Sequence, residues 1–200
     1  MKKFLALLLT CCLMFALTGC GEIKKAETAV NGMFSTFKNL DFEEAQKYVN
    51  VEDITKIYEE ENENAMLIME TVFDNLSYEI VSSEKVDDNK VVVKTKVTAT
   101  NMKPVLGEFF GKAMEYAFSN ALADPQPTEE EVNKRMGEIF VECASVPDLE
   151  TVTNEVDIKV VKNENKEWKI EVDDTVADAL LGGLLEAAKE LGNAFGTDEE

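Results

Sequence analysis

Apolar side chains recur at steps of three and four residues in the segment after residue 21, and this spacing places them on one face of a helix. The positions are Ile23, Ala26, Val30, Phe34, Phe37 and Leu40. They predict an amphipathic helix over residues 22–39. Asp41 is typical of an N-cap, and Glu44 three residues later predicts a short second helix that runs through Tyr48.

From Leu76 onward the hydrophobic period changes to two, which is the period of a strand with one buried face. Apolar positions alternate through residues 76–80 and 91–99, and the turn-forming segment Asp87-Asp88-Asn89 separates them. The same arrangement returns near the end of the chain, where Asn163-Glu164-Asn165 separates residues 152–160 from 168–172. The pattern therefore predicts two antiparallel hairpins.

Two helices are predicted between the hairpins. One covers Pro104–Ala123, and the other begins at Thr128, with Glu131 as its partner in a capping box. Asp124-Pro125-Gln126-Pro127 forms the linker between them, because proline interrupts helices.

Two further helical patterns flank the hairpins. One covers residues 52–74, although the polar run 59–64 interrupts it. The other begins near Asp174 and contains Gly182-Gly183. Each glycine inside a helix costs about 1 kcal/mol relative to alanine. This pair therefore predicts a kink or a close approach to another element.

The first twenty residues have the pattern of a secretory signal. Lys2 and Lys3 precede the uncharged, mostly apolar run 4–17, which is shorter than the roughly 20 residues a membrane-spanning helix needs. Leu17-Thr18-Gly19-Cys20 resembles the lipobox of bacterial lipoproteins. The resemblance implies a signal peptide over 1–19, a lipid on Cys20 and a location on the outer face of the cytoplasmic membrane. The lysine-rich, arginine-poor signal favours a Gram-positive host.

Charge excludes several classes of function. The chain has 20 basic and 40 acidic side chains, so its net charge of −20 opposes binding to nucleic acid. It has no histidine and one arginine, Arg135, which excludes imidazole chemistry and paired arginine clamps. No metal or cofactor motif is present, so we expect neither.

Cys143 lies at an apolar position of a predicted helix, where a buried, inert thiol is the favoured interpretation.

The segment Phe34–Ala45 is similar to the start of small NTF2-like (cystatin-like) domains in bacterial lipoproteins, and Lys166–Ile170 is similar to the end of those domains. The resemblance implies an α+β fold in which a helical layer packs on a curved antiparallel sheet. The domain would cover residues 20–173, with residues 104–146 as a two-helix insertion and 174–200 as an added C-terminal helix and acidic tail. Many relatives use the mouth of this cone-shaped fold as a pocket.

Five apolar or aromatic residues are candidates for binding a ligand or partner: Tyr78, Phe109, Phe110, Met114 and Trp168. The competing interpretation is that they are core residues, and for Trp168 a core anchor is favoured. The helix over 104–123 has only one narrow polar face, formed by Glu108, Lys112, Glu115 and Ser119. We expect its neighbours to enclose it, and exposure to a ligand or partner is the alternative.

Three functions remain. The leading hypothesis is a noncatalytic envelope lipoprotein that binds an apolar small molecule or a protein. The second is a self-associating assembly protein, with its oligomeric state open. The third is an enzyme of the NTF2-like class that uses a buried carboxylate with Tyr78 or Tyr116, although no spacing singles out such a carboxylate.

Overall fold

The computed structural model describes residues 21–49 and 63–194, with only the backbone of residues 63–66. The signal sequence, the lipobox cysteine Cys20 and the first part of the third predicted helix lie outside the described residues. The helices are α1 (21–38), α2 (Phe42–Ala45), α3 (Glu63–Phe73), α4 (Met102–Asn120), α5 (Glu129–Ala144), α6 (Asp174–Leu180) and α7 (Leu184–Ala194). The strands are β1 (Ser77–Asp87), β2 (Lys90–Thr100), β3 (Thr151–Lys162) and β4 (Trp168–Glu171).

The strands form one antiparallel sheet in the order β1-β2-β3-β4, so both predicted hairpins are present. Directly paired residues share a face, and the buried face carries Val93 opposite Ile158 and Val91 opposite Val160. The other face is lined by charged and hydroxyl side chains, such as Lys94 beside Glu155 and Asp157. This alternation is the period of two that the sequence shows.

Helices cover the buried face and share one hydrophobic core with it. The core includes Val30, Met33 and Phe34 of α1. It also includes Val176 and Leu180 of α6. The chain is thus an α+β protein. The C-terminal segment after residue 174 begins with a helix that is part of this core.

The second helix is shorter than predicted. Asp41 caps it as expected, since its side chain accepts a hydrogen bond from Glu44 N, but the helix ends at Ala45. Tyr48 lies outside it because its carbonyl accepts a 2.7 Å hydrogen bond from Ile170 N, and Val49 forms a parallel bridge with Ile170. The chain therefore leaves the helix to pair with strand β4.

Helices α4 and α5 form an antiparallel hairpin attached at the ends of β2 and β3. The predicted capping box is present, because Glu131 N donates to Thr128 Oγ1 and Thr128 N donates to Glu131 Oε2. At its base the hairpin enters the core through buried residues of both helices, namely Met102, Val105, Ile139 and Cys143.

The last predicted helix is broken into α6 and α7 at Gly182 and Gly183, whose φ angles are +59° and +84°. A Cβ on Gly182 would lie 1.7 Å from the carbonyl oxygen of Thr100, and Met102 N donates to Gly182 O. The pair therefore both breaks the helix and allows close contact with the start of α4, as the sequence predicts.

Among the helices in the described ranges, none is both long and apolar enough to cross a membrane.

Candidate functional site

The five candidate binding residues do not form one site. Tyr78 lies on β1 and Trp168 on β4, which are opposite edges of the sheet. Phe109, Phe110 and Met114 lie on α4, outside the sheet. The five residues therefore lie in three separate regions of the molecule.

Tyr78 contacts α1. Its ring stacks on Phe34 with centroids 4.1 Å apart, and its hydroxyl donates a 2.6 Å hydrogen bond to Asn31 Oδ1. Partial burial raises the pKa of the Tyr78 phenol. These contacts with α1 cover one face of the Tyr78 ring and satisfy its hydroxyl group. Tyr78 therefore holds β1 against α1.

Trp168 is 8% exposed and lies in the core, in agreement with its interpretation as an anchor. Lys162 Nζ lies 4.8 Å from the centroid of the Trp168 ring. The indole Nε1 is buried and has no hydrogen-bond partner among the described residues. Trp168 is thus held by apolar packing and a cation–π contact.

Lys162 also contacts Glu22, which lies at the start of α1. Lys162 Nζ is 2.6 Å from Glu22 Oε1, and Lys85 Nζ is 3.0 Å from Glu22 Oε2. These two ammonium groups lower the pKa of Glu22, and Asp88 and Glu22 together raise the pKa of Lys85. We call Glu22, Lys85, Lys162 and Trp168 the α1-start cluster. Sequence analysis missed this cluster, because its members are far apart in the chain; Glu22 and Lys162 alone are separated by 140 positions.

On α4, the neighbouring residues Phe109 and Phe110 lie on different faces of the helix. Phe109 packs edge-on against Phe140 of α5, with ring centroids 5.7 Å apart. Phe110 is half-buried and belongs to the next face of the helix, which continues at steps of four through Met114 and Phe118, and Leu122 follows just after the end of the helix.

Exposure rises along this second face toward the end of the hairpin. Met114 is 39% exposed, Phe118 73% and Leu122 96%. The expectation that neighbours enclose the whole helix is therefore wrong for its C-terminal half. α5 packs against α4, but these three side chains stay exposed. We call Met114, Phe118 and Leu122 the tip surface.

A groove of about 330 Å³ lies between the C-terminal half of α4 and the start of α5. It is lined mostly by apolar side chains, namely Ala113, Tyr116, Ala117, Ala121, Pro127, Val132 and Met136, together with Asn120 and Gln126. The groove shares the hairpin end with the tip surface. This region thus combines a shallow apolar depression with large exposed apolar side chains.

A second cavity, of about 570 Å³, lies between α3 and the connection from α5 to β3. Its lining includes the carboxylates of Glu70, Asp74 and Asp148 and no basic side chain. Thr100 at its base accepts a 3.1 Å hydrogen bond from Asn75 Nδ2.

Metal-ligating side chains do not converge in the part of the chain that the structure describes. No cluster of three or more His, Cys, Asp or Glu side chains within 21–49 and 67–194 is arranged to hold a metal ion. Cys143 is buried, as predicted, and burial raises the pKa of its thiol, which disfavours the reactive thiolate.

The fold and these regions define an α+β protein with helices over one face of an antiparallel meander and a projecting helical hairpin. No family model matches the chain, and no curated protein matches it. Among solved structures, the chain is similar to that of ycdA, a predicted lipoprotein from Bacillus subtilis, with 19% sequence identity and a TM-score of 0.41. The match covers 62% of this chain and 38% of ycdA.

Proposed function

We propose that this chain is a noncatalytic, lipid-anchored protein of the cell envelope that binds another protein through the tip surface of the α4–α5 hairpin. The binding part rests on one observation, the rising exposure of Met114, Phe118 and Leu122. Large apolar side chains that line up on a projecting element typically mark an interaction site.

The anchoring part of the proposal rests on the motif Leu17-Thr18-Gly19-Cys20 at the end of an apolar run. A cysteine thiolate forms the thioether that carries the lipid. Two or more acyl chains, at about 0.8 kcal/mol per buried methylene, hold a protein on a membrane without a spanning helix. The proposed location is the outer face of the cytoplasmic membrane.

The proposal includes an NTF2-like (cystatin-like) assignment. It is supported by the resemblance of Phe34–Ala45 to such domains and by helices packed on one face of a sheet of two hairpins. The two described cavities lie beside α3 and within the α4–α5 hairpin. Phe118 and Leu122 of the hairpin are the two most exposed large apolar side chains among the described residues.

A protein partner is favoured over an apolar small molecule by the dimensions of the site. The groove of about 330 Å³ is near the lower limit of ligand pockets, which bury most of their ligand. Phe118 and Leu122 project to solvent and would gain burial only from a second surface.

The test is site-specific photocrosslinking in native membranes. The photoreactive residue p-benzoylphenylalanine replaces Phe118 in the full chain, and we expect a discrete adduct with another protein. Leu122→Ser should remove most of this adduct, because Leu122 is the most exposed member of the tip surface. Neither change should alter folding, since both side chains are exposed.

Val86 provides the matched control, because it is an apolar residue that is 57% exposed on β1, away from the hairpin. Val86→Ser should leave the adduct at position 118 unchanged. An adduct of twice the chain mass would identify a second copy and favour the self-association hypothesis. Absence of any adduct at 118, or equal loss with Val86→Ser, would contradict the proposal.

A further inference from the structure

The α1-start cluster holds the first described turn of the chain against the sheet. Glu22 Oε1 is 2.6 Å from Lys162 Nζ at the end of β3, and Glu22 Oε2 is 3.0 Å from Lys85 Nζ at the end of β1. Lys162 Nζ also donates to the carbonyl of Asp88 in the β1–β2 turn. The start of α1 is therefore fixed at the end of the sheet where both hairpin turns lie.

Very little chain separates this fixed point from the proposed lipid. Cys20 is two residues before Glu22, and two residues of fully extended chain span at most about 7 Å. No flexible linker of useful length exists between them. A lipid on Cys20 must therefore enter the bilayer beside the turn end of the sheet.

We propose that the turn end of the sheet rests on the phospholipid headgroups and that the domain has one fixed orientation on the membrane. This inference rests on the proposed lipidation of Cys20. The surface comprises the start of α1, the β1–β2 turn and the β3–β4 turn. It carries both signs of charge, with Lys24, Lys25 and Lys166 beside Asp87, Asp88 and Glu164. The tether, rather than net electrostatic attraction, sets this contact.

The opposite end of the sheet is far from the bilayer in this orientation. Strand β2 has 11 residues, and at about 3.3 Å per residue it separates the two ends by roughly 35 Å. The α4–α5 hairpin is attached at that far end, where β2 ends at Thr100 and β3 begins at Thr151. Its attachment point is thus held away from the headgroups.

Trp168 is the only tryptophan of the chain, and it lies beside Lys162 in the α1-start cluster. Energy transfer from Trp168 to dansyl-labelled phosphatidylethanolamine therefore reports the distance of the turn end from the headgroups. The sample is the full, lipidated chain in phosphatidylglycerol–phosphatidylethanolamine vesicles. We expect strong transfer from Trp168, and several-fold weaker transfer from the double variant W168F/T151W, whose tryptophan lies at the exposed start of β3, at the far end of the sheet.

A second measurement avoids changes in the core. Glu164→Cys in the β3–β4 turn and Glu150→Cys just before β3 are matched replacements of exposed glutamates at the two ends of the sheet. Nitroxide labels at these positions report depth by power saturation. We expect the label at 164 to be in the headgroup region and the label at 150 to be in water.

Mass spectrometry of the purified chain separates the two proposals. Absence of a lipid on Cys20 would overturn the proposed anchoring and this inference together. A lipidated chain in which a tryptophan at position 151 transfers as strongly as Trp168, or in which the label at 150 is as deep as the label at 164, would overturn only the orientation.

Discussion

Three polar side-chain contacts join α1 to β1. Glu22 pairs with Lys85, Glu27 Oε1 accepts a 2.7 Å hydrogen bond from Ser83, and Asn31 accepts one from Tyr78. These β1 residues share the core-facing side although their numbers change from even to odd. The register shift between Ile80 and Ser82 causes this change. A regular alternation through β1 would place Ser83 on the other face.

Glu22→Gln tests the α1-start cluster. The pKa of Glu22 is lowered in the folded state, so its stabilising contribution is full above the ordinary glutamate pKa of about 4.3 and is lost as the pH falls through the lowered value. We therefore expect the variant to be less stable than the wild type at pH 7. The difference should disappear at a pH below the lowered pKa.

Urea unfolding of a soluble form that begins at Gly21, at pH 7 and in acid, measures this effect. Glu84→Gln is the control, because Glu84 is an exposed glutamate on β1, next to Lys85. It should change stability little at either pH. If the free energies of unfolding of Glu22→Gln and the wild type still differ in acid, Glu22 acts by packing rather than by charge.

At the scale of elements, helix α4 combines two environments. Met102, Val105 and Phe109 of its first half are buried or packed on the core, whereas Met114 and Phe118 of its second half are exposed. Composition alone shows that the helix is apolar on most of its surface. Which half is covered depends on where α5 and α7 lie, as when Lys103 of α4 pairs with Glu186 of α7 at 3.0 Å.

Replacement of glycine by alanine should have opposite effects on stability at two positions. Gly182→Ala should destabilise the protein by about 2 kcal/mol or more, because a left-handed residue costs an alanine roughly 1–2 kcal/mol and its Cβ would overlap the carbonyl of Thr100. Gly111→Ala, inside α4 with open space around it, should stabilise by about 0.5–1 kcal/mol. Denaturant unfolding of both variants checks the pair. Equal effects of both substitutions would contradict the close approach at Gly182.

At the scale of the whole molecule, repulsion among the excess negative charges destabilises the compact folded state. The net charge is −20, and exposed ion pairs contribute only about 0–1 kcal/mol each. Several pairs bring helices and strands together, such as Lys159 with Asp173 at 2.8 Å and Lys189 with Asp174 at 3.0 Å. The excess of 20 carboxylates over basic groups has no such compensation.

We therefore expect added salt to stabilise this protein. At pH 7, an increase in NaCl from about 0.01 M to 0.5 M shortens the screening length from roughly 30 Å to under 10 Å, so the Tm should rise. The rise should shrink near the isoelectric point of about 4.4, where the repulsion is weak. Calorimetry at both pH values measures it. A Tm that falls with salt at pH 7 would mean that the ion pairs outweigh the net repulsion.

The sequence by itself determined the local elements of this protein. Both hairpins, α1, the capping box at Thr128 and the break at Gly182 follow from spacing and from backbone preferences that act over a few residues. The burial of Trp168 and Cys143 was also predictable, because apolar side chains on the inner face of an element are buried.

Tertiary structure alone decided which side chains from distant parts of the chain meet. Glu22 reaches Lys162 only because α1 packs across the sheet, and α2 ends early because Ile170 pairs with Tyr48. Exposure of Phe118 and Leu122 likewise depends on how far the hairpin extends beyond its neighbours. Hydrophobic burial is set by packing between elements, and the spacing of residues within one element does not contain that information.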